Sequence, residues 1–308
     1  MSPGAWPSTL FTASPHWQWL IVLYFFIGGL AGGCYFLAVL MDFFGARTDR
    51  WLARLGYYVA LPAVVVSGVL LIVDLNRPLR FWHMLIQSNT WRPMLKAYSP
   101  MSLGSWALLI FGAFALVGFV AALAEAGRPR WRRFAFLRPP GLLGSVIAVI
   151  GGLFAFFVAG YTGVLLAVTN RPIWSDTPLL GLNFVVSAAS TSAALLILLA
   201  RRRHERAGVG VHQLERFDAA VLALELVALI ALLASLGPML RAWLNAWGAL
   251  LFVGVIVIGI LLPLTLHWRP RLLRPGLRPT VSALLVLVGG FIFRMVVILS
   301  AGGVGRPL

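Results

Sequence analysis

Long apolar runs alternate with short polar links from one end of the chain to the other. Eight runs, at about 17–43, 55–75, 101–124, 141–168, 178–200, 217–236, 243–266 and 279–301, are each long enough to cross a bilayer. Roughly 20 apolar residues in a helix span the hydrocarbon core. No link between them is long enough for a separate soluble domain. The pattern therefore predicts an all-α polytopic membrane protein, a bundle of eight transmembrane helices forming one membrane domain over residues 1–308.

Composition strengthens this reading. Hydrophobic residues make up 60% of the chain and charged residues 11%, with a mean hydropathy of +0.92. A soluble domain carries roughly 25% charged residues. The formal charge of +16 invites a nucleic-acid partner, but the basic residues are dealt out by side. Seventeen fall in or beside the links at 44–54, 125–140, 201–216 and 267–278, and seven on the opposite side. Positive charge marks the cytoplasmic side of a membrane protein, so both termini are expected outside. The basicity is topology, and no nucleic-acid partner is expected. No Lys or Arg precedes Arg47, so the first run lacks the basic start of a cleaved signal peptide and is expected to be a retained span. Cys34 is the single cysteine. One thiol cannot close an intrachain disulfide or supply the four thiolates of an iron–sulfur cluster. Any electrons this chain handles must come from another subunit.

On the outer side the link 76–100 stands out at about 25 residues, where helix connections usually take roughly 2–8. It is preceded by Asp74 and holds Arg77, Arg80, Trp82, His83, Trp91, Arg92 and Lys96 before Ser99-Pro100. This length and polarity suit a docking surface or lid, while its tryptophans also suit a loop at headgroup level.

Ionisable groups at membrane depth are costly and become functional candidates by default. Asp42, Asp74, Glu225 and Arg294 are of this kind, with Glu125 and Asp218 nearer the ends. Asp74 reads either as a proton donor or acceptor at the outer edge or as the ion-pair partner of Arg77. Glu225 falls about two turns into its run and Arg294 about four, so a depth difference of roughly 10 Å is expected between them. Glu225 is a candidate for a proton path. Tyr161, flanked by Gly160 and Gly163, lies near the outer end of the fourth run, before Thr169-Asn170-Arg171. It suits hydrogen bonding to a ligand carbonyl, and Tyr24 lies in the same outer layer. No histidine pair sits mid-membrane, so no haem is expected; His16 and His83 remain outer candidates. Gly28-Gly29 and Gly32-Gly33 in the first run, with Gly151-Gly152 in the fourth, predict close packing of those two helices.

Four motifs in order carry a family resemblance. They are Gly28-Gly-Leu-Ala-Gly-Gly33, Asp74-Leu-Asn-Arg-Pro-Leu-Arg-Phe-Trp-His83, Ser99-Pro-Met-Ser-Leu-Gly-Ser-Trp106, and Tyr161-Thr-Gly with Thr169-Asn-Arg-Pro-Ile-Trp174. Together with eight spans, they resemble the NrfD/polysulfide-reductase membrane subunit family, strongly over about 17–175. The resemblance implies a haem-free anchor that binds menaquinone or ubiquinone in a bacterial cytoplasmic membrane. It implies a four-cluster iron–sulfur subunit and a molybdopterin catalytic subunit as partners on the outer face. It carries quinone contacts onto Tyr161 and the first span, where Tyr24 stands in place of the histidine some members have. Arg171, Arg77 and His16 join them as binding candidates, with Asp74, His83 and Glu225 for proton transfer. Two other readings stay open: a transporter or channel using Glu225 and Arg294 as coupling charges, and a structural anchor with no quinone site.

Overall fold

The computed structural model describes residues 17–75, 77–169, 171–201, 209–269, 273–274 and 276–301. Eight helices are long and apolar enough to cross a membrane: α1 (Trp19–Phe44), α2 (Arg50–Asp74), α3 (Pro100–Glu125), α4 (Leu142–Ala167), α5 (Leu180–Arg201), α6 (Val209–Ser235), α7 (Ala246–Trp268) and α8 (Arg278–Ser300). Among the described residues the only β pairing is an isolated bridge between Ile86 and Pro93. Successive helices run in opposite directions. One face of the bundle therefore gathers the start of α1 with the links after α2, α4 and α6, and we term it the amino-terminal face. The opposite, basic face holds the links after α1, α3, α5 and α7.

Helix α1 is the axis of the bundle, and its glycines explain how. It packs on α2, α4, α5 and α8, which an ordinary apolar helix could not do at close range. A Cβ at Gly32 would collide with the Ala155 carbonyl of α4, and one at Gly33 with the Ser192 hydroxyl of α5. Small residues let backbones approach within side-chain distance, the main source of dispersion gain where lipid is as apolar as the helix. The expected α1–α4 packing is thus present, and the same motif serves α5 as well. Around α1 lie three cores, one among α1–α4 around Tyr35, Tyr57 and Phe111, one joining α1 to α5–α8 around Phe184, Leu222 and Phe293, and one joining α1 and α2 to α5 and α6 around Leu52, Leu196 and Leu214.

Several helix ends differ from the expected ones. Helix α3 starts where Ser99-Pro100 suggests: the Ser99 hydroxyl accepts from the Ser102 N–H at 3.4 Å, and Pro100 occupies the first turn, where a missing N–H costs nothing. Helices α2 and α6 begin earlier than their apolar runs, at Arg50 and Val209 in place of 55 and 217. The reason is packing. Val211 and Leu214 of α6 are buried against Trp51, Leu52 and Leu55 of α2, which holds polar turns helical beyond the apolar slab. The link after α6 is a 3₁₀ segment, Gly237–Trp243, pinned by Trp243 Nε1 donating to Ser300 Oγ at 2.9 Å. Residues Leu251–Leu261 of α7 are wound with π-type hydrogen bonds, and there Gly259 lies against Gly289 of α8 so closely that neither position has room for a side chain.

Candidate functional site

At the amino-terminal face, α1 and α4 each bury a phenol in the same layer, Tyr24 and Tyr161. The Tyr161 hydroxyl donates to the Pro100 carbonyl at 2.6 Å, and Phe157 stacks on its ring at 5.6 Å. Gly104, one turn into α3, makes room for this arrangement, because a Cβ there would overlap the phenol. Ser67 of α2 stands beside Gly28 and Tyr24, its own hydroxyl donating to the Ala63 carbonyl at 2.8 Å. A buried tyrosine keeps its O–H partnered. A ligand carbonyl at this edge would have to replace the Pro100 oxygen as acceptor.

The other candidates at this face are spread out. Asp74 closes α2, half-buried, and no cation among the described residues lies within ion-pair distance of it. The local pair with Arg77 is therefore not formed; Arg77 is exposed at the start of the link. The link itself is ordered, with a 3₁₀ turn over Pro78–Met84 and a hairpin closed by Gln87 and Arg92. Trp82 stacks on His83 at 3.8 Å and on Trp91 at 5.7 Å, and His83 Nδ1 meets the Arg80 carbonyl at 3.1 Å. Arg92 and Lys96 are exposed. Arg171 lies at another corner of this face, reaching the Ala301 carbonyl at 3.4 Å beside the Trp174 ring. Burial lowers its pKa from that of a free guanidinium, and its Nε has no protein partner. Trp174 stacks on Trp17 and donates to the Val297 carbonyl, so this corner ties α1 to α8. His16 lies outside the described residues.

A second constellation sits at mid-depth, and it corrects the sequence expectation. Because α6 begins at Val209, Glu225 lies 16 residues along it, and Arg294 lies 16 residues along α8. Both helices start from the basic face, and the α5 serines that meet the two groups are three residues apart, so the offset is about 5 Å, smaller than expected. Helix α5 joins them through two serines. Ser190 Oγ donates to Glu225 Oε2 at 2.6 Å, and Arg294 Nη1 donates to Ser187 Oγ at 3.0 Å. Arg294 also donates to the Phe25 carbonyl of α1 at 3.2 Å and lies over the rings of Phe26 and Phe184. Gly29 lets the guanidinium reach α1, since a Cβ there would come within 3.0 Å of it. Asp218, about 10 Å nearer the basic face on α6, is likewise buried, at 1% exposure, with no partner for Oδ1. Sequence reading overlooked Ser187 and Ser190. The run Ser187-Ala-Ala-Ser-Thr-Ser192 inside an apolar helix was the available signal.

The third cluster closes the basic face. Arg138, from the α3–α4 link, is buried and holds Asp42 of α1 at 2.5 and 3.1 Å and Glu125 of α3. Arg50 of α2 holds the other Glu125 oxygen at 2.7 Å and the Pro139 carbonyl at 2.6 Å, while Tyr57 donates to Asp42 at 3.0 Å. Two guanidiniums thus meet two carboxylates. Arg138, which sequence alone places among the exposed topological arginines, is a core residue instead. The Tyr35 hydroxyl, buried without a protein partner, borders an adjoining cavity. Among the described residues no three His, Cys, Asp or Glu side chains are disposed to hold a metal ion.

Eight apolar helices in one bundle, with ionisable groups held at mid-depth, define a multi-pass membrane protein. The chain belongs to the NrfD family, whose model, described as "Polysulphide reductase, NrfD", matches residues 10–304. It is similar to the C subunit of polysulfide reductase of Wolinella succinogenes, 28% identical over 82% of this protein and 82% of that one. It is also similar to an NrfD homolog of Haemophilus influenzae, 24% identical over 84% and 85% of the two proteins. A third relative is protein NrfD of Escherichia coli, 27% identical over 57% and 56%.

Proposed function

We propose that this protein is the quinone-reactive, haem-free membrane subunit of a reductase complex in a bacterial cytoplasmic membrane. It exchanges electrons between a partner's iron–sulfur clusters and the quinone pool. One relative is by name a component of polysulfide reductase, which supports a subunit role, with a four-cluster iron–sulfur protein and a molybdopterin catalytic subunit as partners. The lone, buried Cys34 is in keeping with electrons that arrive from outside this subunit. The amino-terminal face is assigned to the outside, following the basic residues gathered on the other. Arg92 and Lys96 on the link after α2 would meet the partner there.

The observation that carries this reading is the Tyr24–Tyr161 pair at the amino-terminal face, on the two helices the family resemblance names. A quinone taking two electrons also takes two protons, so it needs hydrogen-bond donors at its carbonyls and groups that move protons nearby. In this proposal Tyr161 turns its O–H from Pro100 to a quinone carbonyl, and Tyr24 lines the same site. Asp74 and His83 exchange protons at the membrane edge, Arg77, Arg171 and His16 flank the headgroup, and Glu225 handles protons at mid-depth.

Tyr161→Phe tests it, because the ring and its packing stay and only the hydroxyl goes. A lost hydrogen bond is worth on the order of 1 kcal/mol, or more where charge develops. The complex should assemble, while quinone-linked turnover falls at least several-fold relative to artificial-carrier activity in the same sample. Unchanged quinone-linked turnover would place the site elsewhere and leave Tyr161 as an anchor of α3 to α4.

A further inference from the structure

We propose that the α3–α4 link carries a headgroup site for an anionic phospholipid on the basic face, built by Arg130, Arg132 and Arg133 beside the first turn of α4. The site lies on the face opposite the quinone candidates and does not depend on that reading. The link opens with Arg128-Pro-Arg-Trp-Arg-Arg133, four guanidiniums in six residues. Over Pro129–Leu137 it is wound as a 3₁₀ helix, in which three residues make a turn and side chains at i and i+3 eclipse. The row Trp131, Phe134 and Leu137 is half-buried, and the link packs on α3 and α4. The next row, Arg130, Arg133 and Phe136, is exposed, with Arg132 beside it. At a rise of about 2 Å per residue, Arg130 and Arg133 stand about 6 Å apart along the axis, so both guanidiniums can reach one phosphate.

This row differs from charge that only marks a side of the membrane. Arg50 and Arg138, on the same face, are held by Asp42 and Glu125. Arg130, Arg132 and Arg133 have no carboxylate within ion-pair distance and no hydrogen-bond acceptor among the described residues. Like charges held this close repel one another, and an anion relieves the repulsion. The row is also set in place before a ligand arrives. The Arg133 guanidinium lies over the Phe134 ring, 4.8 Å from its centroid, and Phe134 meets Trp131 at 6.1 Å. A guanidinium stacked on a ring keeps its edge N–H groups free to fork onto an oxyanion. At the end of the segment Arg138 is locked into the clasp with Asp42 and Glu125.

The surroundings select a lipid over a soluble anion. Phe136 is 59% exposed, and Leu142, at the start of α4, 84%. The Phe136 carbonyl lies 3.7 Å from where a Cβ on Gly141 would stand, and the Arg138 backbone fills the space that a Gly144 side chain would need. The arginine row is therefore seated, one 3₁₀ turn beyond Arg133, on the first turn of α4. From Leu142 an exposed stripe continues down that helix through Val146, Val149 and Leu153, at the three- and four-residue steps of one helix face. A phosphate on the arginines would lay its acyl chains along this stripe. Free phosphate or an acidic protein could answer the charge but not the stripe, which runs along a membrane span.

The test is lipid retention by the full chain purified in detergent, read by native mass spectrometry after incubation with equal amounts of phosphatidylglycerol and phosphatidylcholine. Wild type should keep phosphatidylglycerol at least fivefold over phosphatidylcholine, and excess inorganic phosphate should not displace it. Arg130→Gln with Arg133→Gln should bring that preference to within twofold of parity. Arg274→Gln with Arg278→Gln, which removes the same charge from another link of the basic face, should leave it above threefold. Equal retention of the two lipids by wild type would overturn the site. So would equal losses in the two double variants, the result expected of general attraction to a basic face. Displacement by phosphate, or an acidic protein retained in place of lipid, would overturn the lipid as occupant. If the Arg130 and Arg133 variant does not accumulate, phosphatidylglycerol with a photoactivatable acyl chain decides on wild type. Cross-links concentrated within 130–153, and chased by phosphatidylglycerol but not by phosphatidylcholine, support the site. Cross-links spread over all the lipid-facing helices overturn it.

Discussion

The protein buries two polar clusters that differ in how completely they are satisfied. At the basic face, Asp42, Glu125, Arg50 and Arg138 are matched charge for charge, with Tyr57 adding a donor. At mid-depth, Arg294 directs its donors to two backbone carbonyls and a serine, and Glu225 accepts from a serine. Asp218 leaves an oxygen unpartnered. A fully paired network locks one arrangement, since any change strands a buried charge. An incompletely paired one can gain or lose a proton without breaking the fold. The first cluster fixes where α1, α2, α3 and the α3–α4 link meet, and the second leaves its charges bonded to hydroxyls and carbonyls without a direct ion pair.

The largest effect that could break this comparison is expected at Arg138. Arg138→Met strands Asp42 and one Glu125 oxygen, a loss on the order of 3–5 kcal/mol. The subunit should fail to accumulate, or unfold at a much lower temperature in detergent. A melting temperature within a degree or two of wild type would show that the clasp is not structural.

Gly32→Leu should follow, because α1 would be forced off the Ala155 carbonyl of α4; overpacking of this kind costs about 1–3 kcal/mol. Thermal unfolding of the purified subunit reads it, and an unshifted transition would mean that α1 and α4 can part freely.

Glu225→Gln sharpens the contrast from the other side. The amide oxygen can still accept from Ser190, so stability should change by less than about 1 kcal/mol, while normalised quinone-linked turnover falls roughly a hundredfold, the low end for losing a proton-transfer group. A variant that unfolds instead would put Glu225 among the structural charges.

The smallest effect is expected from Arg50→Gln. The Arg50–Glu125 pair is 24% exposed on each side, and Arg138 still holds Glu125, so about 1 kcal/mol should be lost with turnover per folded complex unchanged. A loss as large as that of Arg138→Met would mean that the clasp depends equally on all its members.

The apolar runs by themselves determined the number of spans and their order, because lipid demands an unbroken apolar helix of fixed length. The glycines of α1 announced close packing for the same reason: no side chain is the only way two backbones meet. The tyrosines at 24 and 161 were legible as members of one layer because both lie near the same end of their spans. Which partners the charges would choose was not legible. Arg138 looks in sequence like its neighbours Arg130, Arg132 and Arg133, and only the fold of the α3–α4 link turns it inward onto Asp42, 96 residues away. Glu225 and Arg294 looked mismatched in depth because the polar start of α6 resembles a loop until Val211 and Leu214 find α2. Hydrophobicity is a local property that the protein carries residue by residue. The pairing of charges is not, and it was settled only when the helices packed.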